Sequence, residues 1–426
     1  MIKRLLHSKI VKNASWIVAG KVIQMVISFL VSLLTVRYLG PGNYGLINYG
    51  TAYTLFFTSV CTLGINSVIV KEFIDAPNQE GKIIGTALGL RAVSSLLSVL
   101  IIVGISFVLD ADEPLTRLVV ALCSLGVVFN IFETFNYWFQ SRLESKKTAI
   151  ASLIAYLAMA VYKVFLLITQ KPVAYFSLAT SVDYLFVAIV LFIFYKCDHG
   201  APLSFSWAYG KALLKKSYHY ILPGLMVSIY GQTDKVMLKH MVNEAETGFY
   251  STATVICGLW GFIIYAIIDS MTPPIMEAHQ NNHQKFNRLN RLLYCIIFYV
   301  CAFVSLVFTI FGEQLIGILY GAEYLPAALP LKIVTWYTAF SYLGGARNAW
   351  VVCENAQKYL KFIYSAAAVC NVLLNYILIP FYGAAGAAIA SLATQIITII
   401  IIPFFIRGMR ENSIMMVEAI FFRGLK

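Results

Sequence analysis

Long apolar runs separated by short polar stretches make up most of this chain of 426 residues. A helix needs about 20 apolar residues to cross the hydrocarbon core of a bilayer, and the runs reach that length. Helices are expected, because a backbone in lipid must satisfy its own hydrogen bonds. The pattern predicts twelve membrane-spanning helices near 14–37, 44–70, 83–109, 115–140, 149–170, 172–196, 218–240, 248–275, 292–312, 328–352, 360–380 and 383–406.

Composition supports the same class of protein. Hydrophobic residues make up 60% of the chain and charged residues only 12%, whereas a soluble domain carries about 25% charged residues. The formal net charge of +12 is scattered between the spans, so it does not form a nucleic-acid-binding domain. The eight cysteines show no metal-ligand spacing, and we predict no metal and no cofactor. The fold class is predicted to be an all-α integral membrane protein.

Lysine and arginine residues between the spans lie on one side of the predicted membrane. Of the 32 cationic residues, 22 lie in the chain ends and in alternate loops, while the remaining loops carry mainly acidic residues. The positive-inside rule therefore places the cation-rich side, with both termini, in the cytoplasm.

The turns after the first and seventh predicted spans look related. Gly45 and Gly248 are 203 residues apart, and Thr51 and Thr254 are separated by the same interval. Six spans separate the two copies, and an even number means that both halves enter the membrane from the same side. We predict two six-helix lobes, related by a parallel pseudo-two-fold repeat around a central cavity. The predicted boundaries are 1–200 and 201–410 for the lobes and 411–426 for a cytoplasmic tail.

Six cations lie inside the predicted spans rather than at their ends. Each costs about 2.5–3.5 kcal/mol at the centre of a helix exposed to lipid, so we expect them to face a wet cavity or a partner. Such cations would bind an anion, and phosphate groups fit this role. The predicted anion-binding residues are Lys21, Arg91, Lys163, Lys235, Lys332 and Arg347.

Acidic residues also occur within the spans, namely Glu133, Asp183, Asp234 and Asp269. A partly buried carboxylate can take up a proton or a coupling ion. The alternative interpretation is a structural pair, with Arg91 beside Glu133 and Lys235 beside Asp234 as candidates. The sequence leaves both interpretations open.

Several segments, in order along the chain, resemble the Wzx-type O-antigen and polysaccharide flippases, which belong to the multidrug/oligosaccharidyl-lipid/polysaccharide exporter superfamily. Position 141 is Ser, where that family often has glycine. The segments are RYLGPGNYG at 37–45, YWFQSRLE at 137–144, QTDKVML at 232–238, YGAEY at 320–324 and NVLLNYILIP at 371–380.

The resemblance implies a MATE-like exporter fold and a flippase in the bacterial inner membrane. Its cargo would be an undecaprenyl-diphosphate-linked oligosaccharide, an O-antigen or related polysaccharide repeat unit, moved from the cytoplasmic to the periplasmic leaflet by alternating access. The implied partners are membrane lipid, a glycan polymerase, a chain-length regulator and a coupling proton or sodium ion. No catalytic residue is implied.

Two other functions compete with this interpretation. A multidrug or cation antiporter of the same superfamily would need a cavity dominated by acids, but six deep cations outnumber four deep acids. A membrane glycan polymerase or ligase would need a sizeable outer loop with catalytic residues, and the predicted loops are short. The flippase is therefore the preferred prediction.

Overall fold

The computed structural model describes the backbone of residues 9–424, and the side chains of residues 26–424 except Ser145. The helices of the first half are α1 Lys9–Cys61, α2 Asn66–Asp75, α3 Glu80–Leu109, α4 Pro114–Asn130, α5 Thr134–Ser141, α6 Ser145–Ile168, α7 Val173–Cys197 and α8 Trp207–Ser217. Those of the second half are α9 Ile221–Met241, α10 Glu244–Gly258, α11 Gly261–Asn281, α12 His283–Tyr320, α13 Ala328–Cys353, α14 Gln357–Ile396, α15 Ile402–Phe405 and α16 Arg410–Ile420.

Two helices are too long for one membrane crossing and contain two spans each. At 1.5 Å per residue, the 53 residues of α1 would extend about 80 Å, well beyond the thickness of a bilayer. The chain kinks at Gly40 in α1, where φ is 70°, and at Gly383 in α14, where φ is 53°. Glycine suits both kinks, because a positive φ is strained for a residue with a Cβ atom.

The predicted number of spans is confirmed. Within the described residues, seven helical stretches are long and apolar enough to cross a membrane, and the bent pair α10 and α11 makes an eighth. The kinks in α1 and α14 each divide one stretch into two spans, and α9 and α13, with 21 and 26 residues, complete the twelve. The protein is an all-α, multi-pass membrane protein.

Two predicted spans are broken rather than continuous. A 3₁₀ turn at Ile131–Glu133 separates α4 from α5, and α10 meets α11 at an angle of 42°. Hydropathy did not reveal either break, because both halves of each span are apolar. Breaks of this kind often occur at functional sites in membrane helices.

The described chain divides into two compact units. Unit 1 extends to Leu39 and covers Leu46–Ser228, and unit 2 consists of Gly40–Gly45 and the residues from Ile229 onward. An aromatic cluster that includes Phe135, Trp138 and Tyr195 forms part of the core of unit 1. The core of unit 2 is built mainly on α11, α12 and α13, and it extends to α16.

Residues Gly40–Gly45, which belong to unit 2, pack backbone to backbone against the start of α10. A Cβ atom on Gly45 would lie 1.8 Å from the carbonyl oxygen of Glu244, and one on Gly248 would lie 2.2 Å from that of Pro41. Both distances are far below van der Waals contact, so only glycine allows this approach. The two glycines that marked the sequence repeat therefore make reciprocal contacts within unit 2.

Helix α8 is anchored to unit 1 by polar contacts. The Glu72 carboxylate accepts a hydrogen bond from the Tyr209 hydroxyl at 2.6 Å and pairs with Lys216 at 2.6 Å. Burial, followed by this hydrogen bond to Glu72, raises the pKa of Tyr209 above its ordinary value, so the phenol stays protonated at neutral pH.

The segment predicted as a tail contains helix α16, which packs on α12. Glu418 pairs with Arg291 at 2.8 Å, and Asn412 donates a hydrogen bond to the Tyr294 hydroxyl at 2.6 Å. Met415 on the same helix is fully buried. Helix α16 is thus part of the core of unit 2.

Candidate functional site

A cavity of about 390 Å³ lies within unit 1, between α1, α4, α5, α6 and α7. This volume is in the range of sites that bind small ligands. Its lining combines hydroxyl, amide, carboxylate and aromatic side chains. The polar and aromatic lining residues are Thr51, Thr54, Phe129, Asn130, Phe132, Glu133, Asn136, Thr148, Ser152, Tyr156, Thr180, Asp183 and Tyr184.

Within each helix, the spacing of these residues places them on one face, and that face forms one wall of the cavity. Thr148, Ser152 and Tyr156 follow one another at intervals of four residues along α6, which places them on one face. Thr180 and Asp183 are three residues apart on α7, and both line the cavity. The sequence analysis selected only the two carboxylates, and this spacing of uncharged polar residues is the signal it missed.

Arg91 braces the broken helix at the wall of this cavity. Its side chain is fully buried and donates hydrogen bonds to Thr134 Oγ1 at 2.7 Å and to the carbonyl oxygen of Ile131 at 3.4 Å. The Ile131 carbonyl also accepts a hydrogen bond from Thr134 Oγ1 at 2.8 Å, so Arg91 adds to a contact that the turn itself makes. Arg91 also interacts electrostatically with Glu133, as expected from the sequence, although its hydrogen bonds go to Thr134 and Ile131.

Asp183 is paired with a cation that the sequence did not match to it. Lys163 Nζ lies 2.8 Å from Asp183 Oδ2, and both side chains are about 24% exposed. The two residues are on adjacent helices, α6 and α7. The charge of Asp183 is thereby balanced at the edge of the cavity, and that of Glu133 is opposed by Arg91.

In unit 2, Asp234 is the centre of a buried hydrogen-bond network. The carboxylate accepts hydrogen bonds from the Tyr250 hydroxyl, from Ser391 Oγ at 2.7 Å and from Asn375 Nδ2 at 2.5 Å. Asn375 also donates to Asn371 Oδ1 at 3.0 Å. These neutral donors come from α10 and α14, and together they stabilise a carboxylate that is 3% exposed.

The sequence analysis did not select the donors around Asp234. Asn371 and Asn375 are four residues apart, so they lie on one face of α14, and both are fully buried. Two amides at this spacing in an otherwise apolar span were the available signal. Tyr250 and Ser391 carried no such signal, because tyrosine and serine are common in membrane helices.

Arg347 is a deeply buried charge in unit 2. Its side chain is 1% exposed, and its Nε and Nη1 atoms have no hydrogen-bond partner within the described part of the chain. Its charge interacts electrostatically with the phenols of Tyr364 and Tyr294. A buried guanidinium with open donors is suited to an anion.

The remaining residues of the predicted site are Lys21, Lys235, Lys332 and Asp269. Lys235 and Lys332 are half-buried in α9 and α13, and Asp269 is exposed on α11. The side chain of Lys21 lies outside the described side chains. Lys235, Lys332 and Asp269 do not line the unit 1 cavity, and no cluster of three or more metal-ligating residues occurs in the described part of the chain.

The arrangement of helices matches the fold of two solved membrane proteins. An inward-facing multidrug-resistance MATE family transporter of the MOP superfamily has the same fold, with a TM-score of 0.71 at 15% identity, over 91% of this chain and 95% of that one. The lipid II flippase MurJ, in an inward closed conformation, also gives a TM-score of 0.71, at 14% identity over 95% of this chain and 90% of that one.

Comparison of the sequence with known proteins assigns the chain to a family, which the fold alone does not. Residues 10–280, well over half of it, match the model of a family described as "Polysaccharide biosynthesis protein", and the chain belongs to this family. The capsular polysaccharide biosynthesis protein CapF of Staphylococcus aureus is 22% identical over 93% of this chain and 98% of its own length. A protein of Escherichia coli (strain K12), provisionally named an O-antigen transporter, is 22% identical over 89% of this chain and 94% of its own.

Proposed function

We propose that this protein is a flippase that moves an undecaprenyl-diphosphate-linked oligosaccharide from the cytoplasmic to the periplasmic leaflet by alternating access. It would act in the bacterial inner membrane with both termini in the cytoplasm, and it would not be an enzyme. The lobes would be residues 1–200 and 201–410, followed by the tail 411–426. Relatives named for capsule biosynthesis and O-antigen transport support this function, as they match nearly the whole chain.

The observation that carries the proposal is the buried charge of Arg347. A cation at the centre of a span costs about 2.5–3.5 kcal/mol on insertion scales, and here two of its nitrogens have no hydrogen-bond partner within the described residues. In a conformation that exposes Arg347, an anionic ligand would supply hydrogen-bond acceptors for these two nitrogens. A diphosphate fits, because it offers several oxygens to a planar guanidinium.

Transport against a gradient needs an energy source, and Asp234 is the proposed site of coupling. A proton or a sodium ion on this carboxylate would compete with the hydrogen bonds from Tyr250, Asn375 and Ser391. Loading the site would thereby loosen the contact between α9, α10 and α14. A glycan polymerase and a chain-length regulator would receive the cargo on the periplasmic side.

The test is a deletion strain analysed for its lipid-linked oligosaccharides and surface glycan. Loss of surface polymer, with single repeat units held in the inner leaflet, is the expected result. Wild-type protein should restore the polymer, and Arg347→Ala should fail to do so although it inserts normally. Arg142→Ala is the matched control, because this arginine is 40% exposed and pairs with Glu80; it should restore the polymer.

Other outcomes would support competing functions. Repeat units that reach the periplasm but stay unpolymerised would favour a polymerase or ligase. Unchanged surface glycan would favour the antiporter, for which the carboxylates of Glu133 and Asp183 in the unit 1 cavity are the supporting observation. Drug efflux on overexpression would then identify it.

A further inference from the structure

We infer that the unit 1 cavity is a sugar-binding subsite, which holds part of the oligosaccharide while the diphosphate binds elsewhere. This inference rests on the proposed flippase function and assigns one part of the cargo to one part of the protein. It stands on three features of the cavity, namely its hydrogen-bonding groups, its aromatic side chains and its balance of charge.

The hydrogen-bonding groups of the cavity suit a ligand rich in hydroxyls. The amides of Asn130 and Asn136 can each donate and accept, and the carboxylates of Glu133 and Asp183 accept. The remaining polar groups in the described lining on α1, α6 and α7 are hydroxyls; those of Thr51, Thr54 and Thr180 already donate to backbone carbonyls and are left to accept. A sugar hydroxyl both donates and accepts hydrogen bonds, so each of these groups can pair with it.

Aromatic rings in the same wall suit the apolar faces of a sugar ring. Phe129 and Phe132 come from the break between α4 and α5, Tyr156 from α6 and Tyr184 from α7. The C–H faces of a pyranose are apolar and pack flat on such rings, while the tyrosine hydroxyls keep a polar edge. Rings and planar amides in one cavity therefore match both faces and edges of a sugar.

The charge of the cavity argues against two other ligand classes, namely a diphosphate and an organic cation. The charged side chains in the described part of its lining are carboxylates, which would repel a diphosphate. Each carboxylate is also opposed by a cation outside the lining, Asp183 by Lys163 at 2.8 Å and Glu133 by Arg91. Because its charge is balanced, the cavity does not attract an organic cation strongly. The ligand class that fits it is therefore a neutral molecule rich in hydroxyls.

The 3₁₀ turn at Ile131–Glu133 is what opens this wall. It interrupts the helix between Asn130 and Thr134, and it brings Asn130, Glu133 and Asn136 to the same cavity. In a regular α-helix these three positions would spread over about 120°, and the 3₁₀ turn, with 3.0 residues per turn, aligns side chains three residues apart more closely. Arg91 holds the break in place through Thr134 and Ile131, and so acts as a positioning residue.

The experiment measures binding of defined lipids to the full-length protein in nanodiscs by native mass spectrometry. The probes are undecaprenyl diphosphate alone and the same lipid bearing glucose, N-acetylglucosamine or glucuronate. The wild type should bind a neutral sugar-bearing lipid more tightly than the bare lipid, and should not favour the glucuronate form, because carboxylates face the cavity.

Two variants remove sugar contacts. Asn136→Leu and Tyr156→Phe should each reduce the preference for the sugar-bearing lipid by about five- to tenfold, the effect of one or two lost hydrogen bonds. Binding of bare undecaprenyl diphosphate should not change. The matched controls are Gln140→Leu, exposed one turn further along α5, and Tyr175→Phe, 45% exposed on α7; both should keep the preference.

The outcomes distinguish failure of the sugar subsite from failure of the proposed flippase function. If both cavity variants keep the wild-type preference, or if the wild type shows no preference among the four lipids, the sugar subsite is wrong. If the wild type binds none of the lipids, including the bare diphosphate, the flippase function itself fails. A melting curve for each variant identifies loss of folding, and Tyr156→Phe, which keeps the ring, retains the test if Asn136→Leu unfolds.

Discussion

The cavities of the two units are lined in part by residues 203 positions apart in the sequence, but they differ in chemistry. Thr51 and Thr54 line the cavity of unit 1, and Thr254 and Cys257, each 203 residues further on, line a cavity of about 240 Å³ in unit 2. The first cavity contains two carboxylates and two amides. The second is lined by tyrosine, threonine and serine hydroxyls with apolar groups, and the lining residues described for it include no charged side chain.

The carboxylates of the two units also lie in different surroundings, although Arg91 in unit 1 is as buried as Arg347 in unit 2. In unit 1, Glu133 and Asp183 face an open cavity, where a ligand can reach them. In unit 2, Asp234 and Arg347 are 3% and 1% exposed, packed between helices. A charge in a cavity can recognise a ligand directly, whereas a buried charge makes the packing of its helices depend on its partners. A ligand can therefore reach the carboxylates of the unit 1 cavity, whereas the packing of the unit 2 helices depends on the partners of Asp234.

The largest effect should come from Asp234→Leu. The change leaves the donors of Tyr250, Asn375 and Ser391 without their shared acceptor, and burying unpaired donors should cost about 3 kcal/mol or more. Asp183→Leu is the matched change in unit 1, and it should cost about 1 kcal/mol or less, because its ion pair is partly exposed. Thermal unfolding of the purified variants measures both, and equal losses would contradict the contrast between the units.

A smaller effect is expected from Gly248→Ala. Its new Cβ atom would lie 2.2 Å from the Pro41 carbonyl oxygen, so the 40–45 segment must move away from α10, at about 1–3 kcal/mol. Gly258→Ala, on the same helix, is the control, since a Cβ atom there meets nothing within 4 Å.

Maleimide labelling of Asn43→Cys, in a background without the native cysteines, reports this movement. Labelling should be faster with Gly248→Ala and unchanged with Gly258→Ala. Equal stability and equal labelling of the two alanine variants would show that the close approach of the backbones is unimportant.

The smallest effect on stability, below about 1 kcal/mol, should come from Lys163→Met. It removes the cation that balances Asp183, so the unit 1 cavity gains net negative charge. Binding of tetraphenylphosphonium, measured by equilibrium dialysis, should strengthen by about three- to tenfold. The double variant Lys163→Met/Asp183→Asn should return to the wild-type level.

Lys332→Met, which removes a half-buried cation of unit 2, is the control for this change and should not alter binding. Tighter binding in both single variants would mean that the overall charge of the protein, rather than the balance at this cavity, governs cation binding.

Parts of the site could be predicted from the sequence, and others could not. Arg91, Arg347 and Asp234 stood out as charges inside apolar runs, and the structure does bury all three. The interaction of Arg91 with Glu133 was one candidate pair in the sequence, and in the structure it is electrostatic rather than a hydrogen bond. The pairing of Lys163 with Asp183 was not expected, since it depends on how α6 and α7 are rotated about their axes, which the nearly uniform hydropathy of both helices leaves undetermined.

The sequence by itself determined the class of protein, the number of spans and the alternation of charge between their ends, because bilayer thickness acts on each apolar run separately. Only the tertiary structure decided which polar groups meet. Asp234 finds its partners 16, 141 and 157 residues away, and the unit 1 cavity collects residues from 51 to 191. Contacts between such distant residues depend on helix rotation, kinks and breaks. These follow from the packing of neighbouring helices rather than from any local sequence signal.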